Sequence, residues 1–372
     1  MRLEVERIEL REVRLPLKEP FRISSGVMDT KRALLVRLEQ DGVSAWSECA
    51  ALSEPNYIPD TVDTSWLALT EWLVPRFLQS SLSPEEVSAE LDRNLRGHRM
   101  AKAALEMGGW DLSARLQGVS LSRLLGGDRD RVATGISLGI QADPGALAER
   151  VSAAVADGYR RIKVKIKPGR DYDYLAAARD AAGDVPVMAD ANSAYTLDDT
   201  ESLRRLDALD LLMIEQPLAW DDLPGHAHLQ QELETPICLD ECVATPRHAE
   251  TMIELDAGRI INIKPGRVGG FTPSREIHDL CQRNGLAVWC GGMLETGIGR
   301  GHNVALASLP NFTMAGDLSP SSRYWERDIV RPGWEMTEPG YLDVPSGPGF
   351  GVEVDTDYID DLTDRAITLR RP

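Results

Sequence analysis

Three short apolar runs, each carrying an acidic residue near its end, decide the fold: VPVMAD (185–190), LLMIEQP (211–217) and TPICLDE (235–241). Their acids, Asp190, Glu215 and Asp240, follow one another at intervals of 25 positions. An interval of that size accommodates one buried strand and one helix of about 10 to 14 residues. The pattern therefore predicts a repeated strand–helix unit and a parallel sheet.

The same interval extends in both directions, to Lys165 on one side and to Lys264, 24 positions after Asp240, on the other. The full series of predicted strands is Ala133–Leu138, Arg161–Ile166, Val185–Asp190, Leu211–Glu215, Ile237–Asp240, Ile260–Lys264 and Ala287–Cys290. Seven or eight such units close into a barrel whose strand ends meet at one mouth. A doubly wound open sheet is the alternative, but the early glycine-rich turn that usually accompanies it is missing from the sequence.

The region before the barrel has a different order of elements, with strands first and helices after them. The predicted strands are Val5–Leu15, Leu34–Glu39 and Val43–Glu48, and the predicted helices are Thr61–Leu78, Pro84–Leu95 and Met100–Leu116. This order is typical of an α+β domain. The segment 21–27 is rich in glycine and serine, and we expect it not to continue a strand.

The predicted organisation is an α/β protein with three parts. An N-terminal α+β capping domain (1–128) precedes a modified (β/α) TIM-type barrel (129–322), and a C-terminal segment (323–372) returns to the cap. The loops 21–28 and 53–57 are interpreted as lids from the cap, because closure of a site against water would give such loops a function. Plain connecting loops are the alternative.

Composition excludes several classes of partner. The chain has 59 acidic and 41 basic residues, a net charge of −18, which would repel nucleic acid. The first residues alternate like a strand and lack the apolar core of a signal peptide, and no run of 18 apolar residues occurs. The five cysteines lack zinc-site spacing and are interpreted as reduced, mostly buried thiols. We therefore expect a cytoplasmic protein that binds neither nucleic acid nor membrane.

The acids at the predicted barrel mouth suggest a metal site. Asp190, Glu215 and Asp240 would lie at equivalent depth on neighbouring strands, where three carboxylates repel one another unless a cation neutralises them. Oxygen ligands on a rigid scaffold suit Mg²⁺, with Mn²⁺ as a substitute. Each acid could instead cap a helix, but three at even spacing favour the metal.

Three lysines flank these acids, two on one side and one on the other. Lys163 and Lys165 point to one face of their strand, because strand side chains alternate with a period of two. Lys264 ends the sixth predicted strand, on the opposite side of the mouth. A cation between two amines predicts removal of a proton next to a carboxylate, with the cation stabilising the developing enolate. Solvated surface lysines are the alternative.

The chain resembles the enolase superfamily, in its muconate-lactonizing subgroup, and within it the o-succinylbenzoate synthase / N-acylamino acid (N-succinylamino acid) racemase family. The segments that carry the resemblance are MAKAALEMGGWDLSAR (100–115), GISLGIQ (135–141), RIKVKIKPG (161–169), MADANSAYTL (188–197), LMIEQPLAWDDL (212–223), TPICLDE (235–241), NIKPGRVGG (262–270) and VWCGGMLETGIGR (288–300). The resemblance implies that Asp190, Glu215 and Asp240 bind Mg²⁺ and that Lys165 and Lys264 are the acid/base pair. It also implies that Lys163 holds the substrate carboxylate and lowers the pKa of Lys165.

Further residues are expected to contact the substrate or tune the site. The substrate-binding candidates are Lys163, Ser137, Asn192, Gly292, Met293, Glu295, Ser25 and Tyr57. Asn192 could instead cap a helix, and the glycine run at 291–292 could simply form a tight turn. Arg267 is interpreted as lowering the pKa of Lys264 through like charge, with a surface arginine paired to an acid as the alternative.

The expected activity is Mg²⁺-dependent proton abstraction next to the carboxylate of a small molecule. In the synthase this step begins the dehydration of a succinyl-hydroxycyclohexadiene carboxylate in menaquinone biosynthesis, and in the racemase it inverts an N-acylamino acid. Muconate cycloisomerase, dipeptide epimerase and a silent metal-binding barrel are the alternatives. The epimerases carry an Asp-x-Asp pair where this chain has Gly316-Asp317-Leu318-Ser319, so Asp317 is interpreted as a turn residue. A homo-oligomer is also expected.

Overall fold

The computed structural model describes residues 1–23 and 26–372. The N-terminal part begins with three antiparallel strands: β1 (Arg7–Ile23), β2 (Gly26–Gln40) and β3 (Val43–Cys49). Alternate apolar residues of β1 and β2, such as Ile8 opposite Leu38 and Leu10 opposite Val36, are fully buried. One face of the sheet therefore packs against the helices that follow.

The expectation that the segment 21–27 would not continue a strand is wrong for its described residues. Phe21 to Ile23 belong to β1 and Gly26 to Met28 belong to β2, with Phe21 paired to Met28 and Ile23 to Gly26. Antiparallel pairing overrides the weak strand propensity of Gly26. The described residues of the predicted lid at 21–28 are thus the paired ends of β1 and β2.

The helical region of the cap consists of more and shorter helices than the three that its periodicity predicts. The helices are α1 (Val62–Ala68), α2 (Val74–Leu78), α3 (Pro84–Asp92), α4 (Arg99–Gln117) and α5 (Leu121–Leu125), with a π-helical turn (Leu69–Leu73) joining the first two. α4 lies almost entirely inside the protein and includes the buried acids Glu106 and Asp111. It occupies the boundary between the cap and the barrel.

The predicted barrel is confirmed as a parallel sheet of seven strands in sequential order. Its strands are β5 (Ile136–Leu138), β6 (Ile162–Lys165), β7 (Val187–Asp190), β8 (Ile214–Glu215), β9 (Ile237–Leu239), β10 (Ile260–Ile263) and β11 (Ala287–Cys290), and a short strand β4 (Arg131–Ala133) precedes them. The single strand predicted at Ala133–Leu138 is therefore two strands, because β4 pairs outside the barrel with residues 341–343.

Helices cover the outside of the sheet between successive strands. They are α6 (Pro144–Ala156), α7 (Tyr172–Ala182), α8 (Thr200–Arg204), α9 (Leu223–Glu232), α10 (Pro246–Leu255), α11 (Pro265–Val268), α12 (Phe271–Arg283) and α13 (Gly297–Ala307). Single 3₁₀ turns occur at Leu197–Asp199, Arg205–Leu209 and Ser321–Arg323. All five cysteines are buried and unpaired, as predicted.

An irregular segment around residues 312–317 connects the two edges of the seven-stranded sheet. The N–H of Asp317 donates to the carbonyl of Cys290 after β11 (2.9 Å), and the N–H of Gly135 donates to the carbonyl of Gly316 (2.7 Å). This segment thus occupies the place of an eighth strand and brings Asp317 to the barrel interior.

The last part of the chain returns to the first sheet. Its elements are β12 (Val330–Arg331), β13 (Tyr341–Asp343), β14 (Glu353–Val354), α14 (Thr356–Leu362) and β15 (Thr363–Arg370). β15 pairs antiparallel with β1, with Arg370 opposite Arg7. Among the described residues, no helix has both the length and the apolar character that crossing a membrane requires.

Candidate active site

The register of the parallel strands brings the predicted site residues to one end of the sheet. Lys165 on β6 pairs with Asp190 on β7, and Asp190 pairs with Glu215 on β8. Asp240 follows β9, and Lys264 follows β10. Lys165, Asp190 and Glu215 are direct neighbours in register, and Asp240 comes two positions after Cys238, the partner of Glu215. Because strand side chains alternate with a period of two, Asp240 is expected on the same face, so the three carboxylates form a row with an amine at each end.

Ion pairs join the row to the amines. Lys165 Nζ lies 2.6 Å from Asp190 Oδ2, and Lys264 Nζ lies 2.8 Å from Asp240 Oδ2. Lys163 Nζ lies 3.1 Å from Asp190 Oδ2 and 3.2 Å from Glu215 Oε2. Lys163 thus lies under the row and is buried, so the solvated-lysine alternative is wrong for it.

Burial dominates the electrostatics of these groups. The three acids are 1%, 0% and 0% exposed in chain order. Burial and the negative charge of Asp190 raise the pKa of Glu215 to about 7. Burial alone would lower the pKa of Lys264, but Asp240 outweighs it and holds that pKa above its ordinary value. Glu215 is therefore the acid of the row with the least compensated charge.

The donor set fits a divalent metal such as Mg²⁺. Three buried carboxylates supply hard oxygen ligands, and the repulsion that raises the pKa of Glu215 is what a cation relieves. Two further buried oxygens beside the row, Oε2 of Glu241 and Oδ1 of Asn262, have no hydrogen-bond partner. In this structure the ammonium groups of Lys165 and Lys264 contact the row. Within the described residues, no three acidic, histidine or cysteine side chains lie close enough together to enclose an ion.

A cavity of about 440 Å³ opens in front of the row, between the cap and the barrel. Both Lys165 and Lys264 line it, as do four of the predicted substrate-binding residues: Tyr57, Asn192, Gly292 and Met293. A second cavity of about 60 Å³ shares Lys165, Lys264 and Gly292 with the first and is also lined by Ser137, Lys163 and Glu295. The structure therefore brings these candidates together around the two amines. Ser25 lies outside the described residues.

Tyr57, from the predicted lid at 53–57, reaches the row itself. Its hydroxyl donates to Asp240 Oδ1 (2.8 Å) and accepts from Arg267 Nη1 (3.2 Å). The ammonium of Lys264 lies 4.4 Å from the centre of the Tyr57 ring. The cap thus contributes a side chain that contacts both Asp240 and Lys264.

Arg267 is fully buried, so the alternative of a surface arginine is wrong. Its Nη1 contacts Asp240 Oδ1, while Lys264 contacts the other oxygen, Oδ2. Its Nε donates to the carbonyl of Val243 (2.9 Å). Arg267 and Lys264 therefore share one carboxylate. That Arg267 lowers the pKa of Lys264 stays a prediction.

Asn192 and Glu295 both contact groups near the site. Asn192 Oδ1 accepts a short hydrogen bond from Lys165, and its Nδ2 donates to Glu241 Oε1 (3.3 Å). Glu295 accepts from the N–H of Met293 (2.8 Å) and from Nδ2 of Asn303 (3.0 Å). Glu295 thus holds its own loop while it also lines the smaller cavity.

The interpretation of Asp317 as a turn residue is incomplete, because the residue lies in a bend but its carboxylate is nearly buried and ion-paired. Its Oδ2 lies 2.6 Å from Lys163 Nζ and its Oδ1 lies 2.6 Å from Arg161 Nη2. The guanidinium of Arg161 also lies 4.6 Å from the ring centre of Trp289. The available signal was Arg161 itself, because an arginine at the start of a buried strand requires an acidic partner.

Comparisons with known proteins agree with this geometry. Residues 6–126 match the model of the mandelate racemase / muconate lactonizing enzyme N-terminal domain, and residues 146–358 match the enolase C-terminal domain-like model. An o-succinylbenzoate synthase of Geobacillus stearothermophilus is 48% identical over 100% of this chain and 99% of that protein. An N-succinylamino acid racemase of Amycolatopsis is 43% identical over 97% of this chain and 98% of that protein.

The fold is likewise that of a solved relative. The crystal structure of an enolase superfamily member from Listeria innocua superposes with a TM-score of 0.96 at 36% identity, covering 99% of both chains. Members of this superfamily generally depend on a divalent metal. The resemblance predicted from the sequence is confirmed, and the chain belongs to the mandelate racemase / muconate lactonizing enzyme family of the enolase superfamily.

Proposed function

We propose that this chain removes the proton next to the carboxylate of a small molecule, as an o-succinylbenzoate synthase and N-succinylamino acid racemase. The observation that carries the proposal is the row of three buried carboxylates with Lys165 at one end and Lys264 at the other, both lining one cavity. Relatives with these two names align with nearly the whole chain.

Asp190, Glu215 and Asp240 would hold Mg²⁺, or Mn²⁺ in its place, which supplies positive charge to stabilise an enolate. Lys165 takes the α-proton on one face, and Lys264 exchanges a proton on the other face. In dehydration, Lys165 then returns the proton to the hydroxyl group of the adjacent carbon on the same face, so that this group leaves as water and the ring becomes aromatic. In racemisation, Lys165 keeps this proton and Lys264 donates its own proton to the α-carbon from the opposite face.

The remaining assignments form part of the same proposal. Lys163 and Ser137 line the smaller cavity, where they would hold the substrate, and Asn192, Tyr57, Gly292 and Met293 would contact it from the larger one. We assign the chemistry to the barrel (129–322), with 1–128 as the cap and 323–372 as the returning segment. Copies of the chain are proposed to associate as a homo-oligomer.

Metal removal tests this function directly. The purified protein should exchange the α-proton of N-succinyl-L-phenylalanine for deuterium in D₂O and should convert a succinyl-hydroxycyclohexadiene carboxylate to its aromatic product. EDTA should stop both reactions, and Mg²⁺ added in excess should restore them. NMR and ultraviolet absorbance follow the two reactions. Activity that persists in EDTA, or no reaction with either substrate, would contradict the proposal.

Replacing Glu215 with glutamine should weaken Mg²⁺ binding at least tenfold, or about 1.4 kcal/mol, because the row loses one anionic oxygen ligand while its packing is kept. Calorimetric titration measures the change. The matched control is Glu234→Gln, which alters an exposed glutamate before β9. Unchanged Mg²⁺ affinity in Glu215→Gln would show that Glu215 is not a ligand.

A further inference from the structure

The loop between β11 and α13 forms one wall of the candidate active site. Gly292, Met293 and Leu294 line the larger cavity beside Lys165 and Lys264. Leu294 has a φ of 56°, in the left-handed region that a leucine rarely adopts. A strained residue persists only where its surroundings hold it, so the contacts that fix this loop decide the shape of the cavity.

One such contact comes from the capping domain, through Lys31 on β2. The side chain is 1% exposed, and its Nζ donates to the carbonyl of Met293 (3.1 Å). The neighbouring Thr30 also lines the cavity. A buried ammonium bound to the backbone next to Leu294 connects the cap sheet to the substrate-facing wall.

A second contact holds the other end of the loop, through Glu48 on β3. Glu48 Oε2 accepts from the N–H of Thr296 (3.0 Å), from the Thr296 hydroxyl (2.7 Å) and from the N–H of Gly299 (3.2 Å). A Cβ on Gly299 would lie 2.8 Å from this oxygen, so only glycine permits the approach. Glu48 therefore binds the free N–H groups at the start of α13.

We propose that Lys31 and Glu48 are positioning residues of the cap that fix the conformation of residues 292–294 and thereby the affinity for substrate. The proposal rests on the function proposed above, since it assigns substrate to this cavity. Neither side chain lines the described cavities. They act through the loop, and the positive charge of Lys31 also compensates the buried charge of Glu48.

The chain contains a matched contact away from the cavity. Glu106 on α4 is also fully buried and accepts from the N–H groups of Phe271 (2.7 Å) and Thr272 (2.8 Å) at the start of α12. Burial raises the pKa of both Glu48 and Glu106 to about 7. The start of α12 lines neither of the two active-site cavities, so Glu106 repeats the chemistry of Glu48 without contact to the substrate-facing loop.

The test compares Lys31→Met, Glu48→Gln and Glu106→Gln in the full chain, measuring KM, kcat and the melting temperature. Lys31→Met and Glu48→Gln should raise KM for N-succinyl-L-phenylalanine about tenfold and change kcat less than about threefold. Glu106→Gln should lower the melting temperature about as much as Glu48→Gln does, but it should leave KM unchanged. Lys31→Met keeps the hydrogen bonds of Glu48 to Thr296 and Gly299 and supplies a second variant if Glu48→Gln does not fold.

Two results would overturn the inference. KM could stay at the wild-type value in Lys31→Met and Glu48→Gln while only stability falls, or Glu106→Gln could raise KM equally. Either result would reduce both contacts to general support of the fold. Failure of the proposed function is distinguishable, because the wild-type protein would then show no turnover at all.

Discussion

Replacing Lys165 with alanine should abolish both dehydration and racemisation, and kcat should fall by about two to four orders of magnitude or more. Lys165 lines both cavities and lies at the end of the carboxylate row, 2.6 Å from Asp190. Both reactions require transfer of the same kind of weakly acidic proton to or from Lys165, so neither reaction proceeds without this amine. Steady-state rates with the two substrates measure the loss.

The control for this variant is Lys167→Ala, which removes an exposed lysine just after the same strand. It should retain wild-type activity. Lys165→Ala itself should still bind Mg²⁺ in a calorimetric titration, since the carboxylates remain. Retention of more than about a tenth of either activity would refute Lys165 as the general base, because base removal costs far more than that.

Replacing Lys264 with alanine should separate the two reactions. Racemisation needs a proton donor and acceptor on each face of the α-carbon, so it should fall by about two decades or more. Dehydration uses Lys165 to take the proton, and there Lys264 contributes a positive charge near the enolate, so dehydration should fall less. The two reactions should respond differently because Lys264 and Lys165 lie on opposite sides of the site. Lys264 follows β10, and three strands separate β10 from β6.

Lys102→Ala provides the comparison for loss of a buried lysine. Lys102 is 3% exposed and pairs with Asp92 at 2.6 Å in the capping domain, far from the row in sequence and on other elements. It should cost stability without separating the reactions. Equal losses of racemisation and dehydration in Lys264→Ala would contradict the two-face arrangement and leave the assignment of Lys165 intact.

The sequence predicted the barrel and the row because both follow from a local repeat. Asp190, Glu215 and Asp240 each end a buried run, and parallel strands of equal spacing bring such ends together whatever the rest of the chain does. The barrel strands are observed within a few residues of their predicted bounds, except at 133–138.

Residues whose importance depends on distant contacts could not be predicted in this way. Asp317 interacts with Lys163 and Arg161, more than 150 positions earlier, and Glu48 interacts with Thr296, 248 positions later. No periodicity relates these positions. The extended form of residues 21–23 and 26–28 could not be predicted for a related reason, because it comes from strand pairing and not from the propensity of the residues.

The pairing of β15 with β1 has a consequence for the order in which the chain is made. On one edge of β1, residues 7–13 pair with residues 363–370 of β15. The N–H of Arg371 also donates to the carbonyl of Glu6 (2.9 Å). During synthesis on the ribosome, the first sheet therefore remains one strand short until nearly all of these residues have been translated. Its open edge is a site for mispairing and for chaperone binding throughout that time.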